Sequence, residues 1–165
     1  MPNEESGVAR YRFVTMWFLE APVAPVWEAI YDTDSWPSWW PGVRRVEELV
    51  ARGEDGVGGV SRFTFRSLLP YDLSFEMRSV RVERHRTLEG VASGQLAGVG
   101  RWSFFTQPGR TAVAYHWDVE TTERWMNALT PIARPVFAWN HDRLMDAGGR
   151  GLAALLGVRL VDSAH

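Results

Sequence analysis

The sequence predicts an α+β domain in which a curved antiparallel sheet of about seven strands wraps around one long C-terminal helix. Two short helices follow the first strand. Three observations predict this. Segments between Arg10 and Thr121 repeatedly alternate apolar and polar side chains at period two. From Leu129 to Leu156 the apolar residues recur at helical spacing instead. The strand faces carry large aromatic side chains that must be covered, and only the final helix is long enough to cover them.

In chain order, Arg10–Glu20 places Tyr11, Phe13, Thr15, Trp17 and Leu19 on one face, and Ala21-Pro22 ends the strand. Pro25 precedes Val26-Trp27-Glu28-Ala29-Ile30-Tyr31, with Trp27, Ile30 and Tyr31 at helical spacing. Asp34 or Ser35 is a candidate cap for a second short helix through Trp36-Pro37-Ser38-Trp39-Trp40, which Pro41-Gly42 stops. Strands follow at Val43–Ala51 and, after a Gly-rich turn over 52–59, at Val60–Ser67. Leu69-Pro70 is a corner. Tyr71, Leu73, Phe75 and Met77 then alternate with polar residues, and the alternation slips after Arg78, as a bulge or frayed end would make it do. Thr87–Gly94 and Leu96–Thr106 form a hairpin. Pro108-Gly109 turns into Thr111–Thr121, with Val113, Tyr115, Trp117 and Val119 on one face. Thr130-Pro131 fits the start of the long helix. Pro135 should kink or loosen its first turns, and Gly148-Gly149 should weaken it further along. Residues 1–9 and 159–165 read as tails around one domain spanning 10–158.

Composition narrows the function. At 165 residues, 45% hydrophobic and 23% charged, the chain is long enough for one ordinary core. A net charge of −2 gives no basic excess to collect phosphate, so nucleic acid is a poor partner. The absence of cysteine excludes disulfides, thiolate nucleophiles and Cys-ligated zinc, and fits a cytoplasmic setting. The acidic start carries no signal-peptide pattern, and no apolar run has the length of a membrane span. Four histidines without HxH or HExxH spacing point to no metal. Gly94, Gly98 and Gly100 precede Trp102 on a strand rather than a helix, so they do not make a dinucleotide loop. No GxSxG nucleophile motif is present. Nothing in the chain calls for a cofactor.

Nine tryptophans are too many for a core built in the usual way from Leu, Ile and Val. If the strand registers are right, Trp17, Phe63, Phe65, Tyr71, Phe75, Trp102, Phe104, Tyr115 and Trp117 all face the final helix. A solid aromatic core and a lined cavity use the same side chains, and both readings stand at this level. On the helix, Asn140 shares the apolar stripe with Val136, Phe137 and Leu144, where it either bonds the sheet backbone or meets a ligand. His141 lies at the edge of that stripe. His116 and Asp118 share the opposite, polar face of their strand and read as solvated, unless the register slips by one. His85 sits in a charged turn and reads as exposed.

Three stretches carry a family resemblance. The first is Leu19-Glu20-Ala21-Pro22 leading into Val26-Trp27-Glu28-Ala29-Ile30, followed by Asp32 and Trp36. The second is Trp39-Trp40-Pro41-Gly42-Val43. The third is the ending of strands followed by a long helix. On these the chain resembles the START-like, Bet v 1-like (SRPBCC) helix-grip superfamily, and within it the bacterial polyketide cyclase/dehydrase-like branch. The resemblance runs from about Arg10 to Leu156. It implies an internal apolar pocket lined by the aromatic residues above together with Trp39, Trp40, Phe137 and Asn140. The tryptophans at 36–40 and the helix start at Pro131–Pro135 would shape its mouth. The expected partner is a hydrophobic or aromatic small molecule, polyketide-like or lipid-like, bound by a monomer or dimer without stable membrane insertion. The alternative is a cyclase or dehydratase acting on such a ligand, with Tyr115, Asn140 or His141 supplying hydrogen bonds or proton transfer. A partner-binding module would need an exposed apolar patch, and the outer strand faces read as polar.

Overall fold

The computed structural model describes residues 9–67, 71–124, 128 and 130–165, with the side chains of 130–133 excepted. The Leu69-Pro70 corner, Leu129, the Thr130 cap and most of the N-terminal tail lie outside the described residues. Strand β1 (Arg10–Leu19) leads into helices α1 (Val23–Tyr31) and α2 (Trp36–Trp39), with a short 3-10 turn between them. Strands β2 (Val43–Val50), β3 (Val60–Phe65), β4 (Leu73–Glu83), β5 (Thr87–Gly94), β6 (Leu96–Gln107) and β7 (Arg110–Thr121) follow. Helix α3 (Thr130–Leu156) and strand β8 (Leu160–Ala164) complete the chain.

The eight strands of the described residues form one antiparallel sheet in the order β2-β3-β4-β5-β6-β7-β1-β8. The predicted architecture is therefore present, with one strand more than expected. The C-terminal residues read as a tail instead pair with the free edge of β1, Trp17 opposite Ser163 and Met16 opposite Ala164. Gly157 makes this possible. At φ +63° it ends α3, with its N–H bonded to Ala154 O at 3.2 Å and the next N–H, of Val158, to Ala153 O at 3.0 Å. The chain then turns back along β1, where Glu20 N–H meets Arg159 O at 3.0 Å. At the other end Ala9 is also held, its carbonyl accepting from Thr121 N–H at 3.0 Å.

The alternation in β1 holds as predicted, with Tyr11, Thr15, Trp17 and Leu19 buried and Phe13 half-buried. The slip after Arg78 is a bulge, since the β4–β5 register shifts between Ser79 and Arg81. Tyr71 falls before β4 rather than on it. The expected cap on α2 is absent. Ser35 instead donates its hydroxyl to Asp32 O at 2.7 Å and accepts from Trp39 Nε1 at 3.3 Å. Pro37 in the first turn of α2 offers no N–H, and the Ser35 hydroxyl is already turned back to the Asp32 carbonyl.

The glycine pair in α3 also has a packing role. Trp40 packs against Gly148 and Trp17 against Gly149, where an added Cβ would lie 3.0 Å from the Trp17 ring. Gly151 passes the Trp39 carbonyl more closely still. Both indoles then donate to the preceding turn of the helix, Trp17 Nε1 to Met145 O at 3.1 Å and Trp40 Nε1 to Leu144 O at 2.8 Å. The glycines form a shallow trough that lets tryptophan from β1 and from the loop after α2 reach the helix backbone. The helix propensity lost there is about 1 kcal/mol per glycine. Two large ring burials with satisfied N–H groups outweigh that loss.

The outer sheet face is less polar than predicted. Val14 on β1 and Phe105 on β6 are exposed there, with Met16 and Phe18 further along β1 and Ala112 of β7 opposite both Phe18 and Phe105. Period two alone marks one side of a strand as buried and says nothing about how apolar the other side is. His116 and Asp118 do lie on this face, but they do not pair with each other. Asp118 bonds Arg12 across the ladder at 3.2 Å. His85, expected to be exposed, is half-buried with its ring edge-on to Trp27 at 5.9 Å.

Candidate functional site

Two adjoining cavities lie between the sheet and the helices. The first, of about 100 Å³, is closed by α3. Phe65, Leu73, Phe75, Leu96, Trp102, Tyr115, Trp117 and Val119 reach into it from β3–β7, Tyr11 and Phe13 from β1, and Phe137, Asn140, His141, Leu144 and Met145 from α3. Trp36 and Trp40 line its inner wall, and exposed Arg66 stands at its rim. The second, of about 110 Å³, is closed by α1 and the turn after it, through Ile30, Thr33 and Trp36. Phe63, Met77 and Leu88 add apolar wall, while Arg52, Ser61, Ser79 and Glu89 make it the more polar of the two. Trp36, Phe65, Phe75, Trp102 and Tyr115 line both. Each volume approaches the ~150 Å³ of an apolar cavity that admits benzene.

The shared wall is a continuous aromatic surface. Trp102 stacks on Tyr115 at 4.2 Å, Tyr115 stacks on Trp117 at 5.9 Å, and Phe65 stacks on Phe75 at 5.5 Å. Gly100, on β6, makes room for it, because a Cβ there would lie 2.8 Å from the Tyr115 hydroxyl. Burial drives the Tyr115 pKa well above the ordinary phenol value, so the hydroxyl stays protonated and is a neutral donor.

The polar groups of the first cavity converge at the α3 side. Asn140 presents its amide there with no side-chain hydrogen bond among the described residues. The sheet backbone does not claim it, which was one of its two expected fates. His141 lies flat on Phe13, ring centroids 4.1 Å apart at 14°. Burial lowers its pKa to about 4, against the opposing pull of Asp142, whose carboxylate is 3.6 Å from Nδ1. The imidazole is therefore neutral at physiological pH. Both of its ring nitrogens and the Tyr11 hydroxyl are buried without a hydrogen-bond partner among the described residues. Burial likewise raises the Tyr11 pKa, against the nearby Arg134.

Of the residues predicted to line a pocket, Trp40, Phe63, Phe65, Phe75, Trp102, Tyr115, Trp117, Phe137 and Asn140 do so, as does His141. Trp17, Trp39, Tyr71 and Phe104 line neither cavity. Trp17 is only 1% exposed, wedged on Gly149. Phe104 faces inward as expected but packs on Trp27 of α1 at 5.0 Å, because α1 covers that end of the sheet. Trp39 stacks on Trp40 at 5.5 Å behind the cavity wall. The tryptophans of 36–40 thus form inner wall and packing instead of a mouth. Tyr11, Phe13, Leu73, Leu96 and Val119 were on the correct strand faces without being singled out, and Arg66 carried no sequence signal. Among the described residues, no cluster of three or more His, Asp or Glu is placed to hold a metal ion. None of the described helices is long and apolar enough to cross a membrane.

A model of the family described as polyketide cyclase/dehydrase and lipid transport matches residues 13–157. The chain belongs to this family. No curated protein matches its sequence. Among solved structures, the Zhui aromatase/cyclase from Streptomyces sp. R1128 superposes with a TM-score of 0.73 at 18% identity, covering 88% of this chain and 93% of that one. A START superfamily protein from Mycobacterium smegmatis gives 0.70 at 16% identity, over 87% and 98%. The di-domain aromatase/cyclase StfQ from the steffimycin biosynthetic pathway gives 0.63 at 14% identity, with 92% of this chain covering 53% of that one. At these identities the likeness is one of fold, the helix-grip arrangement of the START and Bet v 1 superfamily.

Proposed function

We propose that the protein binds a flat hydrophobic or aromatic small molecule, polyketide-like or lipid-like, in the paired cavities between sheet and helices. The observation that carries this is the shared wall of Trp36, Phe65, Phe75, Trp102 and Tyr115, which has space on both sides. Apolar lining with a few converging polar groups is what a small-molecule site requires. The family description, which names polyketide cyclases and lipid transport together, supports the same reading. The reading is of a cytoplasmic monomer or dimer that takes no nucleic-acid partner and does not insert stably in membranes.

Native mass spectrometry of protein purified gently from its host, compared with the denatured mass, tests the proposal. A discrete added mass is expected. A bare mass, together with no thermal shift across a library of aromatic compounds and lipids, would overturn it.

A second reading, a cyclase or dehydratase acting on such a ligand, draws on one further observation. Tyr115, Asn140 and His141 all border the first cavity, so a donor, an amide and a neutral base face one space. On this reading the walls fold the substrate into a reactive conformer. Tyr115→Phe and Asn140→Ala should then abolish turnover while sparing binding. Parallel loss of both would favour binding alone.

A further inference from the structure

The second cavity is bordered by a cation that is held in place and not neutralised, Arg52 of the loop between β2 and β3. Its guanidinium lies 4.0 Å above the Tyr31 ring, and Nη1 donates to Tyr31 O, at the end of α1, at 2.9 Å. Its stem runs along Gly59, where any Cβ would collide with Arg52 Cγ. Ring, carbonyl and glycine fix a long side chain that is otherwise costly to order. None of them cancels its charge. Arg12, Arg44 and Arg62 elsewhere on the sheet each meet a carboxylate. Among the described residues, half-buried Arg52 forms no ion pair, and its Nε and Nη2 donate to nothing.

The rest of this lining offers donors and no competing acid. Ser61 shares the inward parity of Phe63 on β3, and its hydroxyl has no partner among the described residues. The protonated Tyr115 hydroxyl lies against Gly100, which lines this cavity and not the first. The Ser79 hydroxyl is already donated to Gly56 O at 2.9 Å. Glu89 stands at the opposite parity to Leu88 and Gly90, across the ladder from Arg81 and Arg101, and its charge acts on exposed Arg81.

The free Nε and Nη2 edge of a guanidinium matches the two oxygens of a carboxylate. A neutral oxygen leaves the charge in place, a cation is repelled, and a phosphate brings more charge than one arginine cancels.

We infer that the ligand is a planar aromatic carboxylate, its carboxylate on Nε and Nη2 of Arg52 and its rings on the wall that the two cavities share. This rests on the small-molecule-binding reading and adds the charge of that ligand and the end of the site that takes it.

Isothermal titration of the full chain at neutral pH with naphthalene, 2-naphthol and 2-naphthoate tests it, in wild type, Arg52→Met, Arg52→Lys and Arg66→Met. Wild type should bind 2-naphthoate roughly ten-fold or more tightly than either neutral probe. Arg52→Met should lose most of that preference, read as the ratio of 2-naphthoate to naphthalene affinity within the variant, so that a general change of fit cancels. Arg52→Lys keeps stem and charge but loses the fork, and it should cut the ratio about three-fold or more even if Arg52→Met fails to fold. Equal binding of the three probes by wild type would overturn the carboxylate assignment and leave the cavities standing. So would a ratio unchanged in the Arg52 variants, including one that falls only in Arg66→Met, which would put the anion at the rim of the first cavity. Binding of none of the probes would overturn the small-molecule reading, and this inference with it.

Discussion

Trp40 donates its indole N–H to the carbonyl of Leu144 at 2.8 Å, and it reaches that carbonyl because residue 148, one turn further along the helix, is glycine. The same device seats Trp17 on Gly149. Gly148→Ala should therefore destabilise the protein by about 1–3 kcal/mol through overpacking, although alanine is the better helix former. Thermal melting should show a fall of roughly 2–4 °C per kcal/mol for a chain of this size. A higher melting temperature would mean that the trough is not tight.

Acid should weaken the fold through His141. Its folded pKa of about 4 lies below the ordinary 6.5, so the unfolded chain takes up the proton first. The stability is fully present above about pH 6.5 and is lost as the pH falls toward 4. Between pH 7.5 and pH 5 the loss is on the order of 2 kcal/mol. Urea unfolding of wild type and His141→Phe at the two pH values measures it. The variant should show the shallower pH dependence, and equal slopes would place the sensitivity elsewhere.

Filling the first cavity should separate binding from stability. Leu73→Trp extends a half-buried wall residue into the space beside Phe65 and Phe75. Affinity for 2-naphthol should fall about ten-fold or more, with little loss of melting temperature because the new ring occupies empty volume. Unimpaired binding would show that ligands do not use this compartment.

Strand β8 is pinned to α3 through Asp146, which accepts from Ser163 Oγ at 3.0 Å and lies 2.8 Å from His165 Nε2. Burial tends to raise the Asp146 pKa, but the hydrogen bonds from His165 and Ser163 hold it below the usual carboxylate value. Asp146→Ala should speed amide exchange across Leu160–Ala164 without unfolding the sheet, because β1 remains paired to β7. Unchanged exchange there would assign the anchoring to the β1–β8 ladder alone.

Most of the strand faces were legible because period two is a local property. Phe63, Phe75, Trp102, Tyr115 and Trp117 face inward as their parity requires, and the slip after Arg78 marked a real bulge. The short strand at Leu160–Ala164 was not legible, since five residues beyond a helix show too little alternation to stand apart from a tail. Glycines 148 and 149 were read as weak helix because propensity is a property of the helix alone. Their function depends on two tryptophans far away in sequence.

By itself, the sequence determined the helix-grip architecture, the aromatic lining and the presence of Asn140 and His141 on the covering helix. These follow from side-chain periodicity, which is fixed by neighbours in the chain. Tertiary structure alone decided which aromatics became wall and which became packing. Trp17 and Phe104 obey the same alternation as Trp102, yet one meets a glycine trough and the other meets α1. It also decided that Tyr11 and His141, 130 residues apart, border one cavity with their hydrogen-bonding atoms unpaired among the described residues. Space and unmet polarity depend on what stands opposite a side chain, and that is set only when sheet and helix close on each other.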